Sequence, residues 1–558
     1  MAAALWLLHA ASAAAQTVAC PAGDGDYPSL YLDENLFGDA IATAATFPTP
    51  NARPTGVTVP HHLLAAKLVA GGIRLAAGGG YDRIVLLFPD HFKQARKPFA
   101  TTTHGFETVY GRVETDAQAA MLLAGASDTV ELSCLFGKDH GIHALLPFIR
   151  HYLPSVPVLP VAVSIRSSRA EWETLIAALS PMAGERTLIV QSTDFSHYLP
   201  HHEARQRDQQ TLNILAAGDL DALAALSQPD HMDSIGAMYV QTALQARRHA
   251  ARPVVLASEN SQQYVQQFVA ETTSYMVLAF SPESPGAGFQ PLPGGERLFV
   301  AGDTFFGRAM TPALLDEAGA DRVADAVLAV TGGAPLVVNL EGVLLPDVPR
   351  EIEHMVLAMP RGLATDWLKR LNVRAAGLAN NHAMDIGPSG FAETTGALDE
   401  AGIGWFAQGD ALELPGVTLV ALSDHGSNAS QETRLLDAGL LDRLLREDAG
   451  VPVVAMVHWG REYGTEPEAR EMELAEEMRR RGVAAILGAH PHRASAAVKQ
   501  LGGGDVAMIY SLGNFLFDQG RDKASGALAE LTLFGQGTLF VRQVALPNLF
   551  DVARGLSR

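Results

Sequence analysis

The chain is poor in cysteine, since its 558 residues contain only Cys20 and Cys134. At most one intramolecular disulfide can therefore form, and zinc motifs built from cysteine pairs are excluded. Long hydrophobic runs are also scarce. After residue 20, no stretch approaches the roughly 20 apolar residues that a helix needs to span a bilayer. The body of the chain is therefore predicted to have no transmembrane helix.

Positive charge is in deficit as well. The 41 lysines and arginines are outnumbered by 61 aspartates and glutamates, which gives a formal net charge of -20 at pH 7. Because nucleic acids are bound through clustered basic side chains, this balance argues against a nucleic-acid partner. A hydrophobic content of 48% and a charged content of 18% are typical of a globular protein. The length allows about two to four domains.

The N-terminus resembles an export signal. Residues 2–15 are almost wholly small or apolar and end in alanines before Gln16, as at a signal-peptide cleavage site, although a basic n-region is missing. We predict a signal peptide over residues 1–20, and Thr17-Val18-Ala19-Cys20 also allows lipoprotein processing with a lipid anchor on Cys20. The predicted location is the periplasm or cell envelope. The alternative is an apolar N-terminus on a cytoplasmic protein.

Proline and glycine divide the rest of the chain. Residues 21–55 are predicted to be an irregular lead-in, and residues 282–296 a Pro/Gly linker. The two remaining segments, 56–281 and 297–545, alternate short apolar runs with amphipathic stretches. Such runs are typical of buried parallel strands joined by crossover helices. The sequence therefore predicts two α/β domains.

In the second domain, each predicted strand ends in groups that bind metal ions. The runs at 297–301, 335–338, 373–378, 451–457 and 483–487 lead into Asp303, Glu341, Asn381 with His382, His458, and His490 with His492. Taken alone, the Asn380-Asn381-His382 tip is as consistent with a helix cap as with a site. Together the tips indicate a site, because open α/β sheets bind ligands beyond the carboxyl ends of their strands. Carboxylate, amide and imidazole ligands suit Mn, Fe or Zn, in a mononuclear or dinuclear centre.

These tips resemble the poly-γ-glutamate capsule-biosynthesis proteins of the CapA/PgsA type, which are similar to calcineurin-like metallophosphatases. The resemblance runs from about residue 297 to 518 and rests on Gly302-Asp303, Asn339-Leu340-Glu341, Ala379-Asn380-Asn381-His382, His458-Trp459-Gly460, Gly488-Ala489-His490-Pro491-His492 and Tyr510-Ser511-Leu512-Gly513-Asn514-Phe515. It implies a metallophosphatase-like α/β sandwich with metal ligands at Asp303, Glu341, Asn381, His458, His490 and His492, and His382 as a candidate general acid. Two positions depart from the metallophosphatase pattern. Phe305 stands where a His is common, and Glu341 where a bridging Asp is usual.

The first domain has its own polar strand tips, among them His61 and Asp90-His91. With Phe106–Gly111, Lys138–Phe148 and Ser192–Tyr198, these residues resemble the Memo-like proteins (AmmeMemoRadiSam system protein B). That family is similar in fold to class III extradiol dioxygenases, and the resemblance implies a metal held by two His and a Cys. His61 and His91 match the two His, while Asp233 stands at the Cys position. A carboxylate there favours Fe or Zn over Cu(I).

Three functional interpretations follow. The first is an envelope-associated, metal-dependent hydrolase or transferase, for which the resemblance implies an anionic polymer or phosphoester-type substrate and capsule assembly machinery as a partner. The second is a non-catalytic scaffold that binds and exports such a polymer, and an empty metal position at Phe305 would favour it. The third is an iron-dependent oxidoreductase activity in the first domain, because two His and a carboxylate form the ligand set of many Fe(II) oxygenases.

Overall fold

The computed structural model describes residues 20–23, 25–47, 52–282, 295–353, 355–425, 436, 438–445, 451–502, 504, 506–534 and 538–556. Apart from Cys20, the signal peptide predicted at residues 1–20 lies outside the described residues. The linker predicted at residues 282–296 also lies outside them, except at its two ends. In the described part of the chain, no helix combines the length and the hydropathy needed to cross a membrane.

The strands up to residue 282 are β1 (Gly56–Val59), β2 (Arg83–Pro89), β3 (Phe99–Thr101), β4 (Val130–Leu132), β5 (Val158–Val163), β6 (Thr187–Ser192), β7 (His197–Leu199), β8 (Ala251–Asn260) and β9 (Thr272–Pro282). The helices of this half are α1 (Glu34–Ala42), α2 (Ala66–Arg74), α3 (Ala117–Ala126), α4 (His140–His143), α5 (Leu146–Tyr152), α6 (Arg169–Leu179), α7 (His201–Ala217), α8 (Leu220–Ala224) and α9 (Ile235–His249).

The strands from residue 295 onward are β10 (Gly295–Thr304), β11 (Leu336–Leu340), β12 (Val343–Leu345), β13 (Ala358–Pro360), β14 (Val373–Gly377), β15 (Gly404–Phe406), β16 (Ala411–Leu414), β17 (Val417–Ser423), β18 (Val453–His458), β19 (Val483–Ala489), β20 (Lys499–Leu501), β21 (Val506–Ile509), β22 (Asn514–Leu516), β23 (Gly526–Phe534) and β24 (Thr538–Leu546). The helices of this half are α10 (Met310–Leu315), α11 (Glu317–Thr331), α12 (Arg361–Arg370), α13 (Gly387–Ala401), α14 (Ala438–Leu444), α15 (Ala469–Arg480) and α16 (Leu549–Ala553).

By its internal contacts the chain divides into two units, and the division does not follow the linker. The first unit comprises residues 1–45, 55–193 and 236–249, and the second comprises 46–54, 194–235 and 250–558. The first unit contains a largely parallel sheet in the order β4-β3-β5-β2-β6-β1. Its central strands are buried on both faces, which explains why they read as unbroken apolar runs. The predicted α/β class is confirmed for this unit.

The lead-in is not wholly irregular, which corrects the expectation for residues 21–55. Helix α1 forms there because the Asp33 side chain caps it, accepting the Asn35 N–H at 3.0 Å. Phe37 anchors the helix by packing its ring 5.3 Å from that of Phe148. The surrounding prolines and glycines concealed this short amphipathic segment, since helical periodicity needs a longer window to stand out.

A disulfide also ties the lead-in to the first unit. Cys20 is bonded to Cys134, which lies 114 residues further along the chain. Because the Cys20 sulfur is occupied, it is not available for the lipid anchor that its sequence context allows. The only two cysteines of the chain are therefore used together.

The second unit contains four layers: helices, a sheet, a second sheet, and helices. One sheet runs β15-β14-β11-β10-β23-β24 and the other runs β16-β17-β18-β19-β21-β20. One apolar core lies between the two sheets. Each sheet also has a separate apolar core between it and the helices that cover its outer face. This arrangement is the predicted α/β sandwich.

Helix α7 packs on β24, the edge strand of the first of these sheets. The side-chain amide of Gln209 pairs with the backbone of Leu539 in both directions: Nε2 donates to the Leu539 carbonyl, and Oε1 accepts the Leu539 N–H at 2.6 Å. Asn213 donates to the Gly504 carbonyl at 3.3 Å on the same side. The unpaired backbone N–H and C=O groups of an exposed edge strand can pair with another chain. Gln209 occupies such groups on β24, as a neighbouring strand would. Gly218, at φ 66°, ends α7.

We expect Gln209→Ala to lower the free energy of unfolding by about 1 to 3 kcal/mol, because it leaves the Leu539 N–H and C=O without their partners. Urea unfolding of the full chain measures the change. Gln266→Ala, at an exposed glutamine, is the matched control and should alter the midpoint very little. Equal midpoints for the two variants would show that Gln209 does not stabilise the edge.

Candidate metal centre and active site

The predicted site residues of the second domain converge because their strands are neighbours. Strands β10, β11 and β14 are adjacent and parallel, and so are β18 and β19 in the other sheet. Parallel neighbours end at the same edge of a sheet, so their tips bring together Asp303, Glu341, Asn381, His458, His490 and His492. Every one of them except Asn381 is buried.

Local backbone geometry explains the motif around the two histidines that follow β19. His490 and His492 have φ values of 95° and 58°, so the chain turns sharply at both and directs both imidazoles to one side. Gly488 precedes them because a Cβ there would lie 1.8 Å from the Tyr510 carbonyl oxygen. Gly302 is required for the same reason, since its Cβ would meet the Gly513 carbonyl oxygen at 2.0 Å. These glycines allow the strand tips to approach one another closely.

The centre of the site consists of Asp303, Glu341 and His492, whose ligand atoms all lie within 4.8 Å of one another. Asp303 Oδ2 and His492 Nδ1 are 3.0 Å apart. Glu341 Oε2 is buried and has no hydrogen-bond partner in the described part of the chain. Burial and the negative charge of Asp303 raise the pKa of Glu341 to about 7. A buried carboxylate oxygen without a hydrogen-bond partner needs compensation for its lost hydration, and this donor set fits a divalent cation.

A second group of donors adjoins the first. His458 Nε2 lies 2.8 Å from Asn381 Oδ1 and 3.1 Å from His490 Nδ1. Burial and the neighbouring imidazoles lower the pKa of His458 well below its usual range and that of His490 to about 3. Both rings are therefore neutral, which is the form that binds metal ions. Asn339 connects the two groups by donating to Asp303 Oδ1 at 2.9 Å and contacting His458 Nδ1 at 3.2 Å.

His382 lies at the edge of this cluster. Its Nδ1 is 2.8 Å from Asp385 Oδ2, and its Nε2 is 3.7 Å from Glu341 Oε1. Burial alone would lower the pKa of His382, but the hydrogen bond to Asp385 and the charge of Glu341 outweigh it, so the pKa is raised. Asp385 stands just before α13, where its place in the sequence suggests a role at the helix start. However, α13 is capped at Ile386, and the Asp385 carboxylate instead orients His382.

Several residues in the site were not identified from the sequence. Asn380 donates to Asn339 Oδ1 at 3.2 Å, and Asn514 Oδ1 lies 2.8 Å from His492 Nδ1. Both asparagines lie in motifs that carry the resemblance to the capsule proteins. Their contacts with other site residues could not be predicted from those motifs. The His425 ring lies 4.1 Å from the His490 ring. It follows β17, a strand that the sequence analysis did not identify, and so its position at a strand tip went unnoticed.

Phe305 supplies no ligand. Its side chain is fully buried, its ring packs 5.3 Å from that of Phe517, and its N–H donates to the Leu516 carbonyl at 2.6 Å. Arg308 covers it on the other side, 5.0 Å from the ring centre. Position 305 therefore serves the apolar core, and any cation relies on the remaining donors.

The first unit contains a separate cluster of three imidazoles, His61, His91 and His140, whose ligand atoms lie within 4.8 Å of one another. Asp139 orients His91 by accepting its backbone N–H at 3.1 Å and contacting its Nδ1 at 2.7 Å. Ser192 Oγ lies 3.0 Å from His61 Nδ1. Each contact holds one ring nitrogen and so orients the imidazole, as at metal sites where a carboxylate supports a histidine.

Asp233, expected as the third donor, belongs to the second unit. Its carboxylate accepts the Asp194 N–H at 3.2 Å, and its own N–H donates to the Asp194 carbonyl at 3.1 Å. Within the first unit, His140 is the third residue of the imidazole cluster. It lies in the Lys138–Phe148 motif, but it was not predicted as a ligand from the sequence.

Each half of the chain matches a model of a known protein family. Residues 39–276 match the family model "Memo-like protein", and residues 297–420 and 423–519 match "Bacterial capsule synthesis protein PGA_cap". A MEMO1 family protein of Pyrobaculum arsenaticum is 29% identical over 199 residues, covering 34% of this chain and 69% of its own length.

Two capsule proteins match the second half. PGA biosynthesis protein CapA of Bacillus subtilis is 34% identical over 194 residues, covering 31% of this chain and 50% of its own length. Capsule biosynthesis protein CapA of Bacillus anthracis is 31% identical over 205 residues, covering 32% of this chain and 49% of its own length. The chain thus spans about half the length of these capsule relatives.

Proposed function

Because the chain joins a Memo-like domain to a capsule synthesis domain of the PGA_cap type, we propose that it is a metal-dependent hydrolase or transferase of capsule biosynthesis. Its substrate in this proposal is an anionic polymer or a phosphoester, cleaved or transferred at a phosphoester or γ-glutamyl-type bond. Capsule assembly machinery is the proposed partner.

The observation that carries this proposal is the buried Glu341 oxygen without a hydrogen-bond partner, facing Asp303 and His492. A fold maintains such an oxygen only when something compensates for its lost hydration. Two neutral imidazoles and an amide oxygen next to these carboxylates complete a donor set for Mn, Fe or Zn. Six side chains are proposed as ligands: Asp303, Glu341, Asn381, His458, His490 and His492.

The chain's own residues would divide the chemistry as follows. A divalent ion held by these ligands would supply Lewis-acid activation of water and would neutralise charge on the scissile group. The Asp385 carboxylate accepts the Nδ1–H of His382, so the further proton that His382 can give up is carried on Nε2, the nitrogen that faces Glu341. It is therefore placed to protonate a leaving group next to the carboxylate cluster. Asn339 and Asn514 keep Asp303 and His492 in position.

The disulfide supports a location in the envelope. A disulfide between Cys20 and Cys134 persists in the periplasm or outside the cell, whereas the cytosol keeps thiols reduced. We propose the cell envelope as the location. Cleavage of the predicted export signal before Gln16 would leave Cys20 in the mature chain to form this bond.

Metal analysis tests the proposal directly. We expect the purified chain to contain at least one equivalent of metal in the second domain and to hydrolyse bis-p-nitrophenyl phosphate. His490→Ala should lower turnover by more than about 100-fold, because even the loss of a residue behind a ligand costs about 10- to 100-fold. His202→Ala, at an exposed histidine, is the matched control and should behave as the wild type. Less than one equivalent of metal together with no turnover would overturn the hydrolase assignment.

Phe305 favours a second candidate function. Position 305 contributes to the apolar core and not to the site. A metal ion here would therefore have one donor fewer than in the metallophosphatase pattern, where a His is common at this position. A chain that bound a polymer without cleaving it would tolerate that loss. We therefore keep a non-catalytic scaffold for polymer binding and export as the alternative, and it predicts metal binding or polymer binding without turnover.

The first unit supports a separate proposal, namely that the Memo-like domain binds Fe or Zn through the cluster of His61, His91 and His140. Three imidazoles suit either ion. An iron-dependent oxidoreductase activity would be located here. Loss of this metal in His61→Ala, with the metal of the second domain retained, would distinguish the two sites.

A further inference from the structure

An aromatic surface covers His492 on the outer side of the metal centre. The Tyr463 and Phe517 rings lie 6.1 and 4.9 Å from the His492 ring. Tyr463 is 40% exposed, whereas His492 is buried. The Tyr463 N–H donates to the Pro491 carbonyl at 2.7 Å, which fixes this loop to the turn that contains the two histidines. Tyr463 therefore stands between the solvent and the site.

Hydrogen bonds connect Tyr463 to the site as well. Asn514 lies 2.8 Å from His492 Nδ1 and donates to Gln519 Oε1 at 3.0 Å. Gln519 Nε2 in turn donates to the Tyr463 hydroxyl at 3.4 Å. The position of the exposed phenol is thus determined by groups that hold a proposed metal ligand.

Arg493, the residue after His492, lies on this surface. Its guanidinium carbon is 6.0 Å from the centre of the Tyr463 ring, and its Nε donates to the Lys523 carbonyl at 2.8 Å. These two contacts fix the plane of the guanidinium. In the described part of the chain Arg493 forms no ion pair, even though the exposed Glu462 is next to Tyr463 in sequence. Arg308, which also borders Phe517, is by contrast paired with Asp518 at 2.7 Å.

We propose that Arg493 binds an anionic oxygen group of the molecule that reaches the metal centre, either a carboxylate or a phosphate. An oriented guanidinium without a carboxylate partner presents its terminal N–H groups as a fork, which matches both groups. The adjacent residue is a proposed metal ligand, so an anion bound here is held next to the reacting bond. This inference rests on the proposed function for the location of the chemistry, but it concerns binding alone.

Binding measurements on the full chain as purified test the assignment. Two probes, tri-γ-glutamate and inorganic phosphate, are titrated by calorimetry at low ionic strength, and metal content is measured on the same samples. Arg493→Met should weaken the binding of at least one probe by about tenfold, the expected loss of a charge-assisted hydrogen bond. The control is Arg370→Met. Arg370 also stacks on an aromatic ring, 5.0 Å from the Trp367 ring, but it lies at the end of α12 that leads into the start of β14.

Each outcome decides something. A loss confined to tri-γ-glutamate identifies a carboxylate as the group bound, and a loss confined to phosphate identifies a phosphoryl group. Wild-type binding in Arg493→Met, equal losses in the Arg370→Met control, or no binding of either probe to the wild type overturns the inference. An Arg493-dependent affinity in a chain without metal or turnover would leave the inference standing while the hydrolase assignment fails.

Discussion

In His382→Gln, kcat for an ester with a poor leaving group is expected to fall by about 10²- to 10⁴-fold, the usual contribution of a general acid. KM and metal content should stay close to their wild-type values. Glutamine keeps a polar side chain of similar length beside Asp385 but cannot transfer a proton. The change therefore removes the chemistry of the residue while its surroundings are largely retained.

The choice of leaving group separates this role from a structural one. p-Nitrophenolate is a good leaving group and departs without the help of an acid. The alkoxide of an alkyl ester is a poor leaving group and needs a proton on its oxygen to depart. The loss in His382→Gln should accordingly be much larger for the alkyl ester. Equal losses for both esters, or a loss of metal along with activity, would show that His382 holds the site together and does not act as an acid.

Removing the disulfide is expected to have the largest effect on stability. The double variant Cys20→Ser/Cys134→Ser should lose about 3 to 5 kcal/mol of the free energy of unfolding of the first unit. The bond closes a loop with a sequence separation of 114 residues. In the chain-entropy account, a cross-link over a loop of about that length restricts the unfolded chain by nearly 5 kcal/mol.

Urea unfolding followed by tryptophan fluorescence measures this loss, because Trp172 is buried in the first unit. The wild type treated with a reductant is the matched control and should unfold at the same urea concentration as the double variant. If the double variant unfolds at the midpoint of the untreated wild type, or if the untreated wild type contains two free thiols, the bond does not stabilise the protein.

The parts of the site that could be predicted from sequence follow from one physical rule. Parallel strands buried on both faces read as apolar runs, so their ends can be located to within about two to four residues. Polar residues that follow such ends must meet at one edge of the sheet. That reasoning located Asp303, Glu341 and His492, and the structure brings their ligand atoms within 4.8 Å of one another.

What could not be predicted depends on contacts between residues distant in sequence. Asp385 reads as a helix-start residue because it stands just before a helix, and only the folded chain shows its carboxylate on His382. His425 follows a strand whose neighbours are supplied by later parts of the chain. The pairing of Gln209 with Leu539 joins residues 330 positions apart, a relation that no local pattern records.

The turn at His490 and His492 also bears on how this sequence is maintained. At φ values of 95° and 58° the backbone favours glycine, so both positions would be less strained without a side chain. Selection for the fold alone would therefore favour glycine at positions 490 and 492. An imidazole at both positions indicates that selection has acted on the ring itself, against the preference of the backbone. The turn therefore supports the proposal that both imidazoles are ligands, even though Phe305 supplies none.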